Sequence, residues 1–355
     1  MRLTNAFEYI LLSLFSLSCT SISEDESVEY ELLQDENFVI NGFDSRKEYF
    51  EIENLKVKTA MQKYAVALIG GEHISSLLTG DSSHLPSWRE MNNLCSEVPF
   101  SDQPAVAFCS GVLVDSDLVL TSAHCLDVIH EKEIKIVFNY YYEKKSFLKI
   151  NESDIYDIKE IVAISPPILE NDSVDYAWIR LNGKPGFYQE PSPVFTHWHE
   201  LHENDSIITF AASGGVPMKL DDEGTIADVR NDFGDYFVAS TDTFKGASGG
   251  GAWNSQLQLI GIFSRGIYDY QRTDAACNEL AISQEANEHF TYIHRAIEGL
   301  CEVESNSHLC KQIPSTPNVL NSESTHGNAS SNNCMFSIFQ PREYVITHLI
   351  GLFIN

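Results

Sequence analysis

Basic residues are scarce in this chain, and their scarcity excludes whole classes of partner. The 355 residues include 23 Lys and Arg against 51 Asp and Glu, which gives a formal net charge of -28 at pH 7. Nucleic acids and anionic membranes repel a surface of that sign. We therefore predict no nucleic-acid partner, and we interpret the surplus acid as charge that keeps a soluble protein dispersed.

Long apolar runs are also missing. A membrane-spanning helix needs about 20 apolar residues, and the runs Ile10–Leu17 and Tyr344–Ile354 are shorter. The first run follows Arg2 and ends in small residues, so we predict a signal peptide over residues 1–22 and no transmembrane segment in the mature chain. The expected location is secreted or periplasmic. A lipid anchor at Cys19 remains open as an alternative to plain cleavage.

Amphipathic helices are rare as well. The one good candidate is Glu288–Leu300, which we expect to close the domain because its apolar residues share a helical face. Elsewhere the apolar residues fall in short strand-like runs between turn signals, a pattern typical of an all-β barrel or sandwich. These runs are Ala65–Ile69, Ala107–Val114, Asp117–Thr121, Ile134–Tyr140, Ile155–Ile164, Val174–Leu181, Ser206–Ala212, Asp235–Ser240 and Leu257–Phe263.

Two segments lack any hydrophobic periodicity. Residues 23–38 are acidic, as a propeptide or linker would be, and residues 306–355 form a polar, low-complexity tail. We therefore predict one folded domain over residues 39–305. Seven cysteines follow Cys19, which in an exported protein predicts disulfides with one thiol left over.

A serine lies among glycines in the stretch Gly246-Ala247-Ser248-Gly249-Gly250-Gly251. Glycines allow a tight turn whose N–H groups point inward, where they can hold the oxyanion formed when Ser248 attacks a carbonyl. A serine hydroxyl is a poor nucleophile without a base, and the base must itself be oriented by a third group. His124 in Thr121-Ser122-Ala123-His124-Cys125 and Asp175 before Tyr176-Ala177-Trp178-Ile179 are the candidates, because each lies at the end of a predicted strand.

These three motifs resemble the catalytic motifs of chymotrypsin-like serine proteases, in that family's order of His, Asp and Ser. The resemblance runs from about Val39 to Leu300, and its details are similar to the bacterial branch that includes glutamyl endopeptidases. It implies two packed antiparallel six-stranded β-barrels with the site between them. His124 is then general base and acid, Asp175 orients it, and Ser248 forms the acyl-enzyme. The N–H groups of Gly246 and Ser248 become the oxyanion hole.

The resemblance also carries expectations about disulfides and activation. Cys109 and Cys125 bracket the histidine hairpin as a family disulfide does, and Cys95 is our expected partner for Cys277. The bridge that usually flanks the specificity pocket is excluded, because Phe244 stands in place of its first cysteine. Val39-Ile40 resembles the start of a mature enzyme released from a zymogen. Ala247, however, stands where relatives have the acid that pairs with the new N-terminal ammonium.

Substrate specificity is the least determined property. The resemblance places Asp242 and Thr243 at the base of the specificity pocket, and Phe263, Ser264 and Gly266 along its wall. Glutamate-specific relatives have a histidine where Phe263 stands, so glutamyl specificity is not implied. A buried carboxylate at Asp242 would favour Arg or Lys, whereas a broad or apolar preference remains the alternative.

The motifs together predict a monomeric, exported, trypsin-like serine endopeptidase that acts on proteins or peptides without a metal or other cofactor. The alternative is a protease-like binding protein that kept the barrels and lost turnover. A third hypothesis, a metal site at His197-Trp198-His199-Glu200-Leu201-His202, is weaker, because the stretch lacks the His-Glu-x-x-His spacing of zinc proteases.

Overall fold

A computed structural model describes residues 40–41, 44–127, 133–145, 148, 150–165, 174–186, 188–266, 269–283 and 288–313. The predicted signal peptide, the predicted acidic segment and most of the predicted tail lie outside the described residues, as do Val39, Cys19 and Cys334. No helix among the described residues is both long and apolar enough to cross a membrane.

Three short elements precede the barrels: β1 (Ile40–Asn41), β2 (Lys47–Glu48) and α1 (Leu55–Tyr64). Asn54 caps α1, since its side-chain oxygen accepts the backbone N–H of Lys56 at 3.0 Å. The sequence did not predict this helix. It has only 10 residues and buries just Val57, Ala60 and Met61, so its periodicity is weak.

Six strands close the first barrel: β3 (Ala65–Gly70), β4 (Ala107–Asp115), β5 (Leu118–Thr121), β6 (Ile134–Phe138), β7 (Ile155–Ile164) and β8 (Ala177–Leu181). They pair in the closed order β3-β4-β5-β8-β7-β6, every pair antiparallel. Two short helices, α2 (Ile74–Thr79) and α3 (Trp88–Asn92), lie between β3 and β4. The predicted hairpin that carries His124 is β4–β5.

Strand β3 shows why the predicted strand segments have apolar residues at consecutive positions. Val66 and Leu68 lie in the cluster inside the first barrel, whereas the alternate residues Ala67 and Ile69 lie in the large cluster outside it. All four side chains are fully buried. Both faces of the strand are therefore covered, which removes the usual alternation with polar residues.

Six strands build the second barrel: β9 (Ser206–Ala211), β10 (Lys219–Asp228), β11 (Tyr236–Ser240), β12 (Gly251–Trp253), β13 (Leu259–Arg265) and β17 (Glu288–Tyr292). Three short strands lie between β13 and β17 along the chain: β14 (Tyr270–Arg272), β15 (Asn278–Leu280) and β16 (Ile282–Ser283). The order is β11-β17-β13-β12-β9-β10, and pairing of β10 with β11 closes it. Strand β2 joins the outer edge of β10, β14 pairs with β15, and β1 pairs in parallel with β16.

The helix predicted over Glu288–Leu300 is wrong in its first part. Glu288–Tyr292 is strand β17, and the helix α4 spans Ile293–Val303. Phe290 and Tyr292 alternate into the interior of the second barrel, and β17 pairs with both β11 and β13. Pairing on both edges overrides the helical spacing of the apolar residues.

Helix α4 then closes the domain as expected. Ile297 and Leu300 are fully buried in the cluster shared by both barrels, and the Trp178 indole N–H donates to the Ala296 carbonyl at 2.7 Å. A 3₁₀ turn, His308–Gln312, follows, and a disulfide joins Cys310 to Cys301. Leu309 of this turn is also buried.

Two closed six-stranded antiparallel barrels followed by a C-terminal helix are the chymotrypsin-like fold. The fold class predicted from the sequence is therefore confirmed.

Candidate active site

His124 lies just beyond the end of β5, on a short 3₁₀ turn, Ala123–Leu126. Two features hold this turn against the first barrel: a disulfide joins Cys125 to Cys109 of β4, and the Thr121 hydroxyl donates to the Ser110 carbonyl at 2.7 Å. The His124 side chain is 40% exposed. It is therefore fixed at its base and open to solvent at its tip.

Asp175 is buried and bonded to this turn from behind. Its Oδ2 accepts Nδ1–H of His124 at 2.7 Å, and its Oδ1 accepts the backbone N–H of Ala123 at 2.7 Å and of His124 at 3.3 Å. The carboxylate accepts at both oxygens, so it fixes the ring orientation and leaves Nε2 unprotonated. The backbone N–H of Asp175 in turn donates to the Thr291 hydroxyl at 3.1 Å.

Ser248 lies in a glycine turn that packs against the first barrel. Gly246 and Gly249 have φ of 103° and 80°, in the left-handed region that favours glycine. A Cβ on Gly249 would lie 2.2 Å from the Thr121 hydroxyl and 2.3 Å from the Ser110 carbonyl oxygen. This close approach is what allows the Ser110 N–H to donate to the Ser248 carbonyl at 2.7 Å.

The serine turn and the histidine turn meet at one backbone carbonyl. The oxygen of Phe263 accepts the Ser122 hydroxyl at 2.8 Å and the Gly249 N–H at 2.8 Å. One donor is two residues before His124 and the other directly follows Ser248. Among the described residues no hydrogen bond joins the Ser248 hydroxyl to the His124 ring.

Two N–H groups of the serine turn have no acceptor in the part of the chain that the structure describes. Within the described chain the N–H groups of Gly246 and Ser248 bond to no protein atom, whereas the intervening Ala247 N–H donates to the Phe244 carbonyl at 2.8 Å. The Gly246 carbonyl accepts the Ser110 hydroxyl at 2.9 Å, and the Lys245 carbonyl, on the peptide that carries the Gly246 N–H, accepts the Gly214 N–H at 2.8 Å. The two unbonded donors are those predicted for the oxyanion hole.

Asp242, the predicted pocket carboxylate, is bonded elsewhere. Its Oδ2 accepts the Ser45 N–H at 2.7 Å and the Ser45 hydroxyl at 2.9 Å, and its own N–H donates to Asp221 at 2.8 Å. Burial, followed by the neighbouring Asp221 carboxylate, raises the pKa of Asp242 to about 6. The carboxylate therefore holds the N-terminal segment, a contact that the sequence did not predict.

The other predicted pocket residues take different positions. Phe263 packs inside the second barrel, with its ring centroid 5.5 Å from that of Phe290. The Ser264 hydroxyl donates to the His289 carbonyl at 3.0 Å. Thr243 and Gly266 both lie against the buried carboxylate of Glu288. The sequence did not identify Glu288 as a site residue, because its segment was assigned to a helix.

The described residues offer one cluster with metal-ligand spacing, Cys109, His124 and Cys125. Both cysteines are joined in a disulfide and supply no thiolate. In the predicted histidine loop, Trp198 stacks on His294, with ring centroids 5.5 Å apart.

A family model described as "Trypsin-like peptidase domain" matches residues 109–262, which include all three candidate residues His124, Asp175 and Ser248. A search of curated proteins found no match. Together with the two-barrel fold, the family match supports a trypsin-like peptidase domain and a protease.

Two solved structures of bacterial proteins are among those that match. The Vibrio cholerae VesB protease has a TM-score of 0.45 and 13% identity, over 70% of this chain and 65% of that chain. The inactive form of a serine-to-alanine mutant of Rv3671c from M. tuberculosis H37Rv has a TM-score of 0.41 and 12% identity, over 76% of this chain and 98% of that chain. This chain thus spans less than two thirds of the length of the VesB protease.

Proposed function

We propose that this protein is an exported serine endopeptidase that hydrolyses peptide bonds of protein or peptide substrates through an acyl-enzyme on Ser248. One observation carries the proposal: the His124–Asp175 hydrogen bond lies beside a serine turn with two unbonded N–H groups. A base, an orienting carboxylate, a hydroxyl and paired donors are the parts that acyl transfer requires.

In the proposed reaction the Ser248 hydroxyl attacks the carbonyl carbon while Nε2 of His124 takes its proton. The tetrahedral intermediate collapses when His124 returns that proton to the leaving amine, and water then repeats the sequence on the acyl-enzyme. Asp175 keeps the imidazole in the reactive tautomer and stabilises the imidazolium without taking the proton itself. No metal or other cofactor takes part.

The two free donors of the serine turn stabilise the charge that develops on the substrate oxygen. The Gly214 N–H donates to the Lys245 carbonyl at 2.8 Å and fixes the peptide that carries the Gly246 N–H, and the Gly250 N–H donates to the Ala247 carbonyl at 2.7 Å and fixes the peptide that carries the Ser248 N–H. Donors held in advance cost no reorganisation during the reaction, and removing one such donor typically lowers kcat by about 100- to 1000-fold.

A fluorophosphonate probe tests the proposal, because it reacts with an activated serine. The folded, processed protein is expected to carry one label at Ser248, located by peptide mass spectrometry. Ser248→Ala and heat-denatured protein are the controls and should carry none. Label on another residue, or no label on folded protein, would overturn the proposal.

A second candidate is a protease-like binding protein. The absence of a direct Ser248–His124 hydrogen bond among the described residues, together with Ala247 in place of an acid, favours it. A casein-based turnover assay separates the two functions. Peptide binding without release of fragments identifies the binding protein, and fragments that disappear in Ser248→Ala identify the enzyme.

We propose a secreted or periplasmic location, since three disulfides among the described residues are typical of oxidising compartments. We also propose that the protein is a monomer. Cell fractionation and analytical ultracentrifugation test these points. We propose that this protein is related to the bacterial branch that includes glutamyl endopeptidases. Its specificity is not transferred, because Phe263 packs into the barrel interior.

A further inference from the structure

Glu288 is a buried carboxylate that lies between two segments predicted to form the specificity pocket. It is the first residue of β17, and 2% of its surface is exposed. Its Oε2 accepts the Thr243 hydroxyl at 2.9 Å. Its Oε1 is buried without any hydrogen-bond partner among the described residues.

Gly266 is the second residue that lies against the Glu288 carboxylate. A Cβ on Gly266 would lie 2.3 Å from Oε2 and 2.6 Å from Oε1 of Glu288, so the carboxylate fills the space that a side chain would take. Gly266 itself is exposed. The carboxylate therefore lies directly beneath a surface glycine that follows β13.

Among the described residues no cation faces Glu288, so its surroundings favour the protonated, neutral acid. Burial raises the pKa of Glu288 well above its ordinary value, and the nearby Asp269 and Asp242 carboxylates raise it further. No Lys, Arg or His of the described chain forms an ion pair with it, and the adjoining residues 267–268 and 284–287 contain no basic residue. An unpaired buried charge is costly, and a cation placed beside it is strongly favoured.

Asp242 does not fill the same role. Its Oδ2 accepts two bonds from Ser45, so it is already bonded to the protein's own N-terminal segment. Glu288 instead has a buried oxygen without a hydrogen-bond partner among the described residues, although both residues adjoin the same loop before Ser248.

We propose that Glu288 is the specificity-determining residue of this site, and that it binds the cationic side chain of a Lys or Arg that precedes the scissile bond. The inference rests on the proposed endopeptidase function. When the substrate cation enters, it replaces the proton on Glu288, and the Thr243 hydroxyl continues to hold Oε2. The site requires glycine at position 266, because any side chain there would collide with the carboxylate.

Peptides that differ only in the residue before the scissile bond test the proposal. Lysine and norleucine have the same carbon chain, so their ratio of kcat/KM isolates the charge, and glutamate serves as the opposite charge. Wild-type enzyme is expected to prefer lysine or arginine by about 100-fold, the range of a charge-assisted hydrogen bond. Glu288→Gln should lower kcat/KM for lysine by a similar factor and leave norleucine within a few fold.

Asp242→Asn is the matched control, and it should keep the preference for lysine. The proposal is overturned if Glu288→Gln keeps the preference, if Asp242→Asn abolishes it, or if wild-type enzyme prefers norleucine or glutamate. Glu288→Gln removes a buried charge and keeps the size of the side chain, so we expect it to fold. Fluorophosphonate labelling counts the active molecules of each variant.

Binding of the fluorescent cation p-aminobenzamidine supplies a readout that does not depend on turnover. It should bind Ser248→Ala, and binding should weaken by about 100-fold when Glu288→Gln is added. If binding shows this dependence and Ser248 takes no fluorophosphonate, only the proposed catalysis fails. If Ser248 is labelled and the cation binds equally with and without Glu288, only the specificity proposal fails.

Discussion

Ser45 and Asp242, 197 residues apart, are joined by two hydrogen bonds: the Ser45 backbone N–H at 2.7 Å and its hydroxyl at 2.9 Å both donate to Oδ2 of Asp242. The next residue, Arg46, is buried and its guanidinium lies over the rings of Trp88 and Phe244 at 5.2 and 4.5 Å from their centroids. The N-terminal segment thus contacts the loop that leads to Ser248.

This contact connects the N-terminal segment to the loop before Ser248 without the acid that the family's zymogen switch uses. Ala247 is fully buried among apolar residues of the second barrel and offers no carboxylate to an N-terminal ammonium. Side chains of the N-terminal segment make the connection to the loop instead. We accordingly expect removal of the acidic leader to raise activity through docking of this segment, and N-terminal sequencing of active protein should find a start near Val39.

Ser45→Ala is expected to lower the free energy of unfolding by about 1 to 2 kcal/mol. The variant keeps the backbone bond but removes the hydroxyl shared by Asp221 and Asp242 at 3.0 and 2.9 Å. Urea denaturation measures the change. Ser305→Ala, at an exposed position without a side-chain hydrogen bond among the described residues, is the control and should be neutral. Equal effects of the two substitutions would contradict the role assigned to Ser45.

Asp269→Asn is expected to stabilise the protein at pH 8 by about 1 to 2 kcal/mol and to have little effect at pH 4. Burial raises the pKa of Asp269 to about 6, from the ordinary value of 3.8. The folded state therefore binds the proton more tightly, and the stability that this contributes is complete below about pH 3.8 and lost as the pH rises through 6. The side chain is half-buried, which reduces the effect.

Denaturation of Asp269→Asn in urea at pH 4, 6 and 8 measures this dependence. The amide oxygen of the variant still accepts the Lys245 N–H that now donates to Asp269 at 3.0 Å. Asp274→Asn, at an exposed position in the same segment between β13 and β17, is the control. A gain that is the same at all three pH values would show that burial of this charge is not the cause.

Asp175→Asn is expected to lower kcat by about 10⁴-fold with little loss of folding stability. The amide oxygen still accepts the Ala123 N–H, but an amide NH₂ facing Nδ1 selects the tautomer whose Nε2 carries a proton. The measurement is kcat normalised to labelled enzyme, beside a thermal melt. Asp157→Asn, an exposed carboxylate on β7 that pairs with Lys135, should retain full activity. A decrease of less than tenfold for Asp175→Asn would rule out the orienting role.

Gly249→Ala is expected to destabilise the protein by more than 2 kcal/mol and to prevent labelling of Ser248. The new Cβ meets the Thr121 hydroxyl and the Ser110 carbonyl, and the backbone has φ of 80°. Gly186→Ala is the matched control, because its nearest contact is at an ordinary 3.6 Å. Labelling that survives in Gly249→Ala at wild-type stability would show that the close packing of the turn is not needed.

Peptide mapping without reduction should find the pairs Cys95–Cys277, Cys109–Cys125 and Cys301–Cys310. The first pair closes a loop of 182 residues, so Cys95→Ser with Cys277→Ser is expected to cost about 3 to 5 kcal/mol. The double serine variant of Cys301 and Cys310, which closes a separation of only 9, should cost less. A different partner for Cys95, or the reverse ranking of the two costs, would contradict this account.

Local sequence patterns were enough to predict the fold class and the candidate catalytic residues. The β-rich runs and turn signals predicted an all-β barrel or sandwich, since strands covered on both faces need apolar residues at every position. The resemblance to chymotrypsin-like proteases supplied the expectation of two six-stranded barrels. The motifs around His124, Asp175 and Ser248 also identified the candidate catalytic residues, because each motif places a side chain that can take part in acyl transfer in a distinctive local sequence. Fold class is therefore confirmed, whereas the roles of the three residues stay predictions.

Contacts between distant segments were decided by tertiary structure alone. Helical spacing assigned Glu288–Tyr292 to a helix, yet pairing with β11 and β13 made it a strand and placed Glu288 against Thr243 and Gly266. Spacing from Ser248 selected Asp242 as a pocket carboxylate, but Ser45 binds it instead. The sequence records which side chains carry charge, and only the folded chain decides which of those charges find a partner within the protein and which remain for a ligand.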